Sequence, residues 1–320
     1  MNAAMTQDAG IRIRGLEESE LPEANRILRM AFGTFLKAED PAALFPGRDL
    51  VSTRWRTDPA SAIAAEHEGK LVGTNFVANW GSFGFFGPIT VLPEYWGRKV
   101  AQLLLDRTMS VFDDWGISHR GLLTFPDSPK HIHLYEKYGF RAGHLIPVLG
   151  KDVSPQIGTE YTRLSALSEQ DRLGAINACG ELTREILDGL DLKKELGAVL
   201  EQKIGETCLI FEASTLVAFA ICHCGPNTEA GNNTCYVKFG AVRPSGKEST
   251  HFKRLLQACE ALAAEQRLSL LSVGVNMGRW KAYSQLTASG FRTRFTGVAM
   301  ETRPERSYNR PEVYIIDDWR

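Results

Sequence analysis

The sequence predicts an α/β (α+β) fold made of two tandem copies of one unit, each a mixed, mostly antiparallel central sheet flanked by helices. One observation is that apolar strands alternate with amphipathic helices along the 320 residues. The other is an internal repeat, because Val242-Arg-Pro244 matches Val91-Leu-Pro93 (242 − 91 = 151). Gly290-Phe-Arg292 matches Gly139-Phe-Arg141 at the same offset (290 − 139 = 151). We therefore predict one domain at residues 11–150 and a second at residues 158–320.

Composition and charge narrow the classes of function. The chain is 43% hydrophobic and 23% charged, as in ordinary globular proteins, and its net charge is −1. A charge this close to zero gives no general attraction to nucleic acid or to membrane surfaces. The sequence has no apolar run long enough to span a bilayer and no basic-then-apolar leader. We expect a cytoplasmic protein with no nucleic-acid or membrane partner, and a homodimer stays open.

The six cysteines all lie in the second half of the chain and do not resemble a disulfide framework. The triplet Cys222-His223-Cys224 could suggest a metal site. Its two thiols, however, stand one residue apart on a predicted strand, and no second pair completes four ligands. We interpret these cysteines as small hydrophobic residues at a buried strand end, and we expect no metal.

The elements of the first copy follow from the spacing of apolar residues. Strict alternation predicts a first strand, and apolar residues at helical spacing predict a helix after it. Gly69 marks the turn of a hairpin. The segment 33–60 contains several prolines and stays unassigned. In order, we predict strand 11–15, helix 20–31, strands 62–68, 71–80, 82–86 and 89–92, a helix from residue 100, strand 121–125, helix 128–138 and strand 141–148.

The second copy begins with elements of the same kinds in the same order. We predict a strand at 159–165, a helix over 169–201, and a hairpin whose strands are 207–211 and 216–222. The matches at the offset of 151 then predict a further strand, helix, strand and helix up to Gly290.

The most informative stretch runs from Pro88 to Asp106, where a strand, a tight basic turn and a helix start follow one another. The first N–H groups of a helix have no partner within it and carry partial positive charge, so this arrangement can bind phosphates. Arg98 and Lys99 add full charges at that place. Gly97 is small where a ligand must come close.

This stretch resembles motif A of the GNAT superfamily of acyl-CoA-dependent N-acyltransferases. The family pattern is Arg/Gln-x-x-Gly-x-Gly/Ala after a Val-x-Pro strand end, and Ala101 falls in register with its last position. Trp96 stands where Arg or Gln is usual. Lys99 stands where Gly is usual, and its Cβ disfavours a positive φ. The resemblance implies an acetyl-CoA site whose binding residues are Thr90, Val91, Leu92, Gly97, Arg98, Lys99, Val100, Ala101, Gln102, Ser128 and His131.

A second stretch, His133-Leu-Tyr-Glu-Lys-Tyr-Gly-Phe140, resembles the superfamily's motif B, a helix ending in Leu-Tyr-x-x-x-Gly-Phe. Gly139 is typical of the left-handed residue that ends a helix. In the family, the tyrosine at the position of Tyr135 commonly protonates the departing coenzyme A thiolate, so the resemblance implies Tyr135 as the catalytic acid. An unperturbed tyrosine has a pKa of about 10 and stays protonated at neutral pH. The other interpretation of Tyr135 is a core aromatic residue on an amphipathic helix.

The general base stays unassigned, because the strand region 82–92 carries no carboxylate. Glu94 lies beyond the strand end. His131 and His133 stand near the start of the motif B helix, where solvated or cofactor-contacting histidines are the more ordinary interpretation. A backbone N–H within residues 90–92 is the oxyanion donor that the resemblance implies.

The second copy departs from both motifs. Its turn, Ser245-Gly-Lys-Glu-Ser-Thr-His-Phe252, places Phe252 at the position of Ala101 and adds the negative charge of Glu248. Leu286 stands at the position of Tyr135 and cannot donate a proton. We predict a degenerate second domain, and hence one acetyl-CoA site, in the first copy.

Together the two motifs imply an acyl-CoA-dependent N-acyltransferase, with acetyl-CoA as the co-substrate and a primary amine of a small molecule or peptide as the acceptor. A non-catalytic CoA-binding or regulatory protein is the alternative, which Trp96, Lys99 and the missing base favour. A purely structural pair of domains is a third interpretation. The acceptor, the acyl-chain length and the base stay open.

Overall fold

The computed structural model describes residues 10–154 and 160–320, which we call the first half and the second half. Its strands form one continuous sheet of 14 strands. In chain order they are β1 (Ile11–Gly15), β2 (Ala62–His67), β3 (Lys70–Trp80), β4 (Phe83–Phe86), β5 (Thr90–Val91), β6 (His119–Thr124), β7 (Arg141–Asp152), β8 (Thr162–Arg163), β9 (Gly205–Glu212), β10 (Thr215–Cys224), β11 (Thr234–Val242), β12 (Leu270–Gly274), β13 (Arg292–Glu301) and β14 (Ile315–Ile316).

Helices cover this sheet in both halves. In chain order they are α1 (Leu21–Phe35), α2 (Leu50–Thr57), α3 (Val100–Asp114), α4 (Pro129–Glu136), α5 (Glu169–Ile186), α6 (Lys193–Gln202), α7 (Glu248–Glu265) and α8 (Trp280–Ala288). Within the described residues, none of these helices is long and apolar enough to cross a membrane. The predicted α/β class is confirmed, whereas the predicted domain start at residue 158 and part of the predicted strand 159–165 lie outside the described residues.

The sheet runs in the order β1-β2-β3-β4-β6-β13-β7-β12-β11-β10-β9-β8, with β5 beside β3 and β14 beside β11. Most neighbours are antiparallel, and the parallel pairs are β4 with β6 and β11 with β12. Helix α3 lies in the connection from β4 to β6, and helix α7 connects β11 to β12, because parallel neighbours need a crossover connection.

The two halves exchange their last long strands. Strand β7 follows α4 of the first half, yet it lies between β13 and β12 of the second half. Strand β13 follows α8, yet it pairs with β6 of the first half, where Val298 is opposite Thr124. The hydrogen bonds of the central sheet therefore join the halves, and one apolar cluster contains both Trp80 of the first half and Phe239 of the second.

The structure corrects the predicted helix 169–201, which is two helices with a break at residues 187–192. The break pairs with the turn after β3. Ser82 N–H donates to the Gly189 carbonyl (2.8 Å), and Asp191 N–H donates to the Trp80 carbonyl (3.1 Å). Hydrogen bonds to the first half replace those that a continuous helix would make. The sequence analysis also missed helix α2, within the unassigned segment 33–60, and strands β13 and β14, which follow Gly290.

Candidate active site

The site begins where strand β4 stops and β5 starts. Strand β3 pairs with both, first Val77 opposite Phe86 and then Thr74 opposite Thr90, so one extra residue bulges out between β4 and β5. Gly87 within this bulge has φ +141°, a conformation open to glycine and strained for other residues. Strand β4 pairs with β6 only as far as Gly121, and β5 diverges from the rest of β6. We call this opening, between residues 90–92 and residues 122–124, the strand groove.

The Val91 amide faces the strand groove. Leu92 N–H donates to the Val72 carbonyl of β3 (2.9 Å). Since hydrogen-bonded residues alternate along an antiparallel pair, Val91 is the residue whose N–H and C=O point away from β3. The Val91 carbonyl accepts the indole N–H of Trp96 (2.8 Å), and its N–H remains as a donor toward the groove. Thr90 is buried, with its hydroxyl 2.9 Å from that of Thr74.

The turn after β5 leads directly into helix α3, as the sequence predicts. Gly97 has φ +81° and Lys99 has φ +62°, so the lysine takes the left-handed conformation for which the family uses glycine. Lys99 is the N-cap residue of α3, and its carbonyl accepts the N–H of Gln102 (2.9 Å). Within the described residues, the N–H groups of Gly97, Val100 and Ala101 donate to no protein acceptor. These donors and the positive end of α3 fit an anionic phosphate group.

Cationic side chains surround this turn. Arg98 lies over the ring of Tyr95 (4.9 Å), and Lys130 of α4 lies over the ring of Trp96 (5.7 Å). Trp96 is 39% exposed; its indole N–H satisfies the Val91 carbonyl, and its ring supports Lys130, a contact that a cationic arginine there would not make. This gives a physical reason for the departure from the family pattern.

Tyr135 lies at the closed end of the strand groove and is buried. Its ring packs edge-on against Phe86, the last residue of β4 (5.8 Å). Burial raises the pKa of Tyr135, against a smaller opposing effect of the neighbouring hydroxyl of Thr124, the last residue of β6. The hydroxyl therefore keeps its proton at neutral pH. Both interpretations of Tyr135 have support here, since it is a core ring and its hydroxyl lies beside the groove.

Ser128 and His131 lie together at the start of α4, with the Ser128 hydroxyl 2.9 Å from His131 Nδ1. Burial, and then the neighbouring Lys130, lower the pKa of His131, so its imidazole is neutral at pH 7. The ring also packs against Phe35 of α1 (4.9 Å). His131 thus faces an aromatic surface as well as the helix start.

The second half has the same elements, and its own residues fill the matching places. Strand β14 pairs with β11 at Gly240 and Ala241, which the offset of 151 aligns with Ile89 and Thr90. At the start of α7, the Glu248 carboxylate accepts the N–H groups of Ser245 (2.5 Å) and Gly246 (2.8 Å). Hence a peptide strand lies in the groove, and a carboxylate caps the turn at the start of α7.

Phe252 and Leu286 are two further residues by which the second half differs from the first. Both are fully buried, and the Phe252 ring packs 5.2 Å from the ring of Tyr314, just before β14. Phe252, which stands at the position of Ala101, therefore faces the groove of the second half. Leu286 supplies no hydroxyl. These contacts support the prediction of a degenerate second domain.

A cysteine cluster in the second half was missed by the sequence analysis, which considered only neighbours along the chain. Cys208 of β9, Cys222 of β10 and Cys259 of α7 have sulfur atoms within 4.8 Å of one another. The Cys222 and Cys259 sulfurs are 3.9 Å apart. All three side chains are fully buried in an apolar core, where charged thiolates are disfavoured. We keep the interpretation that they pack as small hydrophobic residues.

Comparisons with known proteins agree with this geometry. Residues 25–140 match the model of the acetyltransferase (GNAT) family, a range that contains the bulge, the turn, α3 and Tyr135. No curated protein matches the chain. A putative acetyltransferase from Pyrococcus horikoshii has a TM-score of 0.68 and 12% identity, and the alignment covers 100% of this chain and 98% of that one.

Two further solved structures share the fold. A GCN5-related N-acetyltransferase from Sphaerobacter thermophilus has a TM-score of 0.59 and 14% identity, with 92% of this chain and 96% of that chain covered. The GCN5-related glucosamine N-acetyltransferase region of a fungal multi-domain GH3 β-N-acetylglucosaminidase has a TM-score of 0.63 and 12% identity, with 93% and 38% covered. At these identities the likeness concerns the fold. The chain therefore carries, over residues 25–140, a domain of the GNAT acetyltransferase family.

Proposed function

We propose that the protein transfers an acetyl group from acetyl-CoA to a primary amine by direct attack. The observation that carries this proposal is the strand groove, which leads from the Val91 N–H to the unpartnered N–H groups at the start of α3. An extended chain ending in a pyrophosphate fits such a path, because strand edges bind extended chains and helix starts bind phosphates.

Each part of the site has a role in this proposal. Acetyl-CoA supplies a thioester whose carbonyl carbon the neutral amine attacks; the C–N bond forms, the C–S bond breaks, and the proton that the nitrogen loses passes to solvent, because no side-chain base is assigned. The Val91 N–H donates to the oxygen on which negative charge develops. Tyr135 holds a proton for the departing thiolate. Arg98 and Lys99 attract the phosphates at the turn.

The acceptor would meet an aromatic surface beside the groove. Phe35 of α1 and Phe125 after β6 have ring centroids 4.9 Å apart, and Phe125 lies 5.7 Å from Phe295 of β13. Phe295 is 41% exposed. Such a surface suits an amine with an apolar or aromatic portion.

The second candidate is a CoA-binding protein without turnover. It is favoured by the burial of Tyr135, whose raised pKa makes it a weaker acid, and by the absence of a carboxylate from β4. A panel of primary amines with acetyl-CoA, followed by detection of free thiol, separates the two. Amine-dependent thiol release supports acetyl transfer. A rise in melting temperature with acetyl-CoA, without thiol release from any amine, supports the second candidate.

We expect calorimetry with the intact chain to give one acetyl-CoA site per chain. Strand β14 lies in the matching groove of the second half, and the Glu248 carboxylate caps the start of α7, so a second cofactor would have to displace β14 and approach a negative charge. Two equal sites per chain would contradict this prediction, and with it the interpretation of the second domain as degenerate.

We expect Lys99→Glu to weaken acetyl-CoA binding by at least about tenfold, since a cation near a pyrophosphate contributes roughly 1–4 kcal/mol depending on exposure. Binding should also become less sensitive to salt. Lys203→Glu is the matched control, because Lys203 is an exposed lysine with a similar positive φ of +54° in the second half. Equal affinities in Lys99→Glu and the parent would mean that Arg98 and the start of α3 suffice.

A further inference from the structure

A buried chain of ion pairs connects the second half to the bulge of the first half. Arg54 of α2 is almost completely buried, and its Nη1 donates to the Gly87 carbonyl. The same guanidinium binds both carboxylate oxygens of Glu229, with Nη2 3.0 Å from Oε2 and Nε 3.3 Å from Oε1. Glu229 belongs to the loop between β10 and β11 of the second half. Arg54 therefore links that loop to the Gly87 carbonyl.

The same glutamate also reaches the bulge of the second half. Glu229 pairs with Lys238, the residue at which the pairing of β11 with β10 shifts register. The offset of 151 aligns Lys238 with Gly87. Lys238 in turn lies 3.7 Å from Glu195 of α6, whose other oxygen accepts the indole N–H of Trp80 (3.0 Å). Two cations and two carboxylates thus alternate in one buried network.

This network is held firmly in place. Asn227 N–H donates to the Gly47 carbonyl (2.7 Å) and Asp49 N–H donates to the Thr228 carbonyl (2.9 Å), so the Glu229 loop packs on the segment before α2. Burial alone would raise the pKa of Glu229, but Arg54 and Lys238 lower it, so the carboxylate is ionised at neutral pH. A buried charge with two hydrogen-bonded partners defines one geometry, and removing a partner leaves an uncompensated charge.

We propose that Glu229 of the second half is a positioning residue for acyl transfer in the first half: it holds Arg54, and Arg54 holds the Gly87 carbonyl and the bulge that directs the Val91 N–H into the strand groove. This inference rests on the proposed function. It also assigns the second half a role, namely to support the active site of its neighbour rather than to bind a cofactor. Val91 follows Gly87 by only a few residues, so a shift of the bulge moves the oxyanion donor.

The test uses the intact chain with the double variant Arg54→Met/Glu229→Met. This variant leaves Lys238 and Glu195 as a balanced pair, and it removes the hydrogen bond to Gly87. We expect kcat to fall by roughly 10- to 100-fold, because the donor is displaced rather than removed. The Kd for acetyl-CoA should stay within about threefold of the parent, because the turn at residues 97–99 and the start of α3 are untouched.

A readout independent of turnover separates this inference from the proposed function. Amide hydrogen exchange in residues 86–92 should be at least about tenfold faster in the double variant than in the parent. The control is His119→Gln/Glu301→Gln, which changes another buried hydrogen-bonded pair between the halves (2.8 Å) that does not contact Gly87. It should change neither the exchange in residues 86–92 nor kcat.

Glu229→Gln keeps the test decisive if the double variant does not fold. It retains a carbonyl acceptor for Arg54, and we expect a smaller change of the same kind in exchange and kcat. Unchanged exchange in residues 86–92 in the folded variants would overturn the positioning role. A parent without thiol release from any amine would instead refute the acetyl-transfer proposal, while the exchange measurement would still decide whether Glu229 holds the bulge.

Discussion

Ala101→Phe is expected to weaken acetyl-CoA binding by at least roughly 100-fold, or about 2.7 kcal/mol. Ala101 lies in the first turn of α3, where its small side chain leaves the N–H groups of Gly97 and Val100 accessible. Its counterpart Phe252 packs against Tyr314, beside the strand that occupies the groove of the second half. A phenylalanine at residue 101 would occupy the corresponding space in the first half.

Arg107→Phe is the matched control for this variant. Arg107 lies on the exposed side of the same helix, so its replacement adds the same ring away from the turn. Calorimetry should give parent-like affinity for Arg107→Phe and no measurable site for Ala101→Phe. Melting temperatures report whether either variant has lost its fold. A folded Ala101→Phe variant with parent-like affinity would show that the cofactor does not use the start of α3.

Tyr135→Phe is expected to lower kcat by roughly 10²- to 10⁴-fold, the usual range for a positioned acid. The ring contact with Phe86 would remain, and the hydroxyl beside Thr124 would be lost. The affinity for acetyl-CoA and the melting temperature should change little, because the lost interaction matters mainly in the transition state. Single-turnover rates with a responsive amine measure the effect.

Tyr138→Phe is a suitable control for the Tyr135 variant. Tyr138 is three residues further along, and its hydroxyl lies 2.8 Å from an Asp106 carboxylate oxygen and 3.0 Å from the Gln102 carbonyl rather than facing the groove. Its loss should leave kcat within about threefold. A drop in the stability of Tyr135→Phe with unchanged turnover would identify Tyr135 as a core tyrosine. If both turnover and stability are unchanged, solvent protonates the thiolate.

The sequence was sufficient to predict those features that depend on residues close together in the chain. The strand end at Pro93, the turn and the start of α3 at Val100 follow from residues that are neighbours along the chain. Gly139 and Gly290 have φ +81° and +93°, as expected of residues that end a helix. The internal repeat was also visible, because it needs only a comparison of the chain with itself. The sequence also showed that a residue with a Cβ stands at position 99, where the family uses glycine. Lys99 nevertheless adopts a positive φ.

Long-range partners were decided only by the tertiary structure. The apolar pattern of β7 shows that it is a strand, but not that it pairs with β12 and β13 of the other half. The same limit applies to β14, whose two residues fill the second groove because β11 and β12 diverge there. Periodicity carries information about which face of an element is buried, and none about the partner that buries it.

The candidate site divides in the same way. The sequence by itself located the basic turn at residues 97–99 and the tyrosine of motif B, and it led us to predict the cofactor in the first half. Only the tertiary structure brought Arg54 and Glu229 together across 175 residues, and joined both to the Gly87 carbonyl. A buried arginine needs a counter-charge wherever the fold can supply one, and that position depends on how the two halves pack. The motif residues, in contrast, are held by the strand, turn and helix that they themselves form.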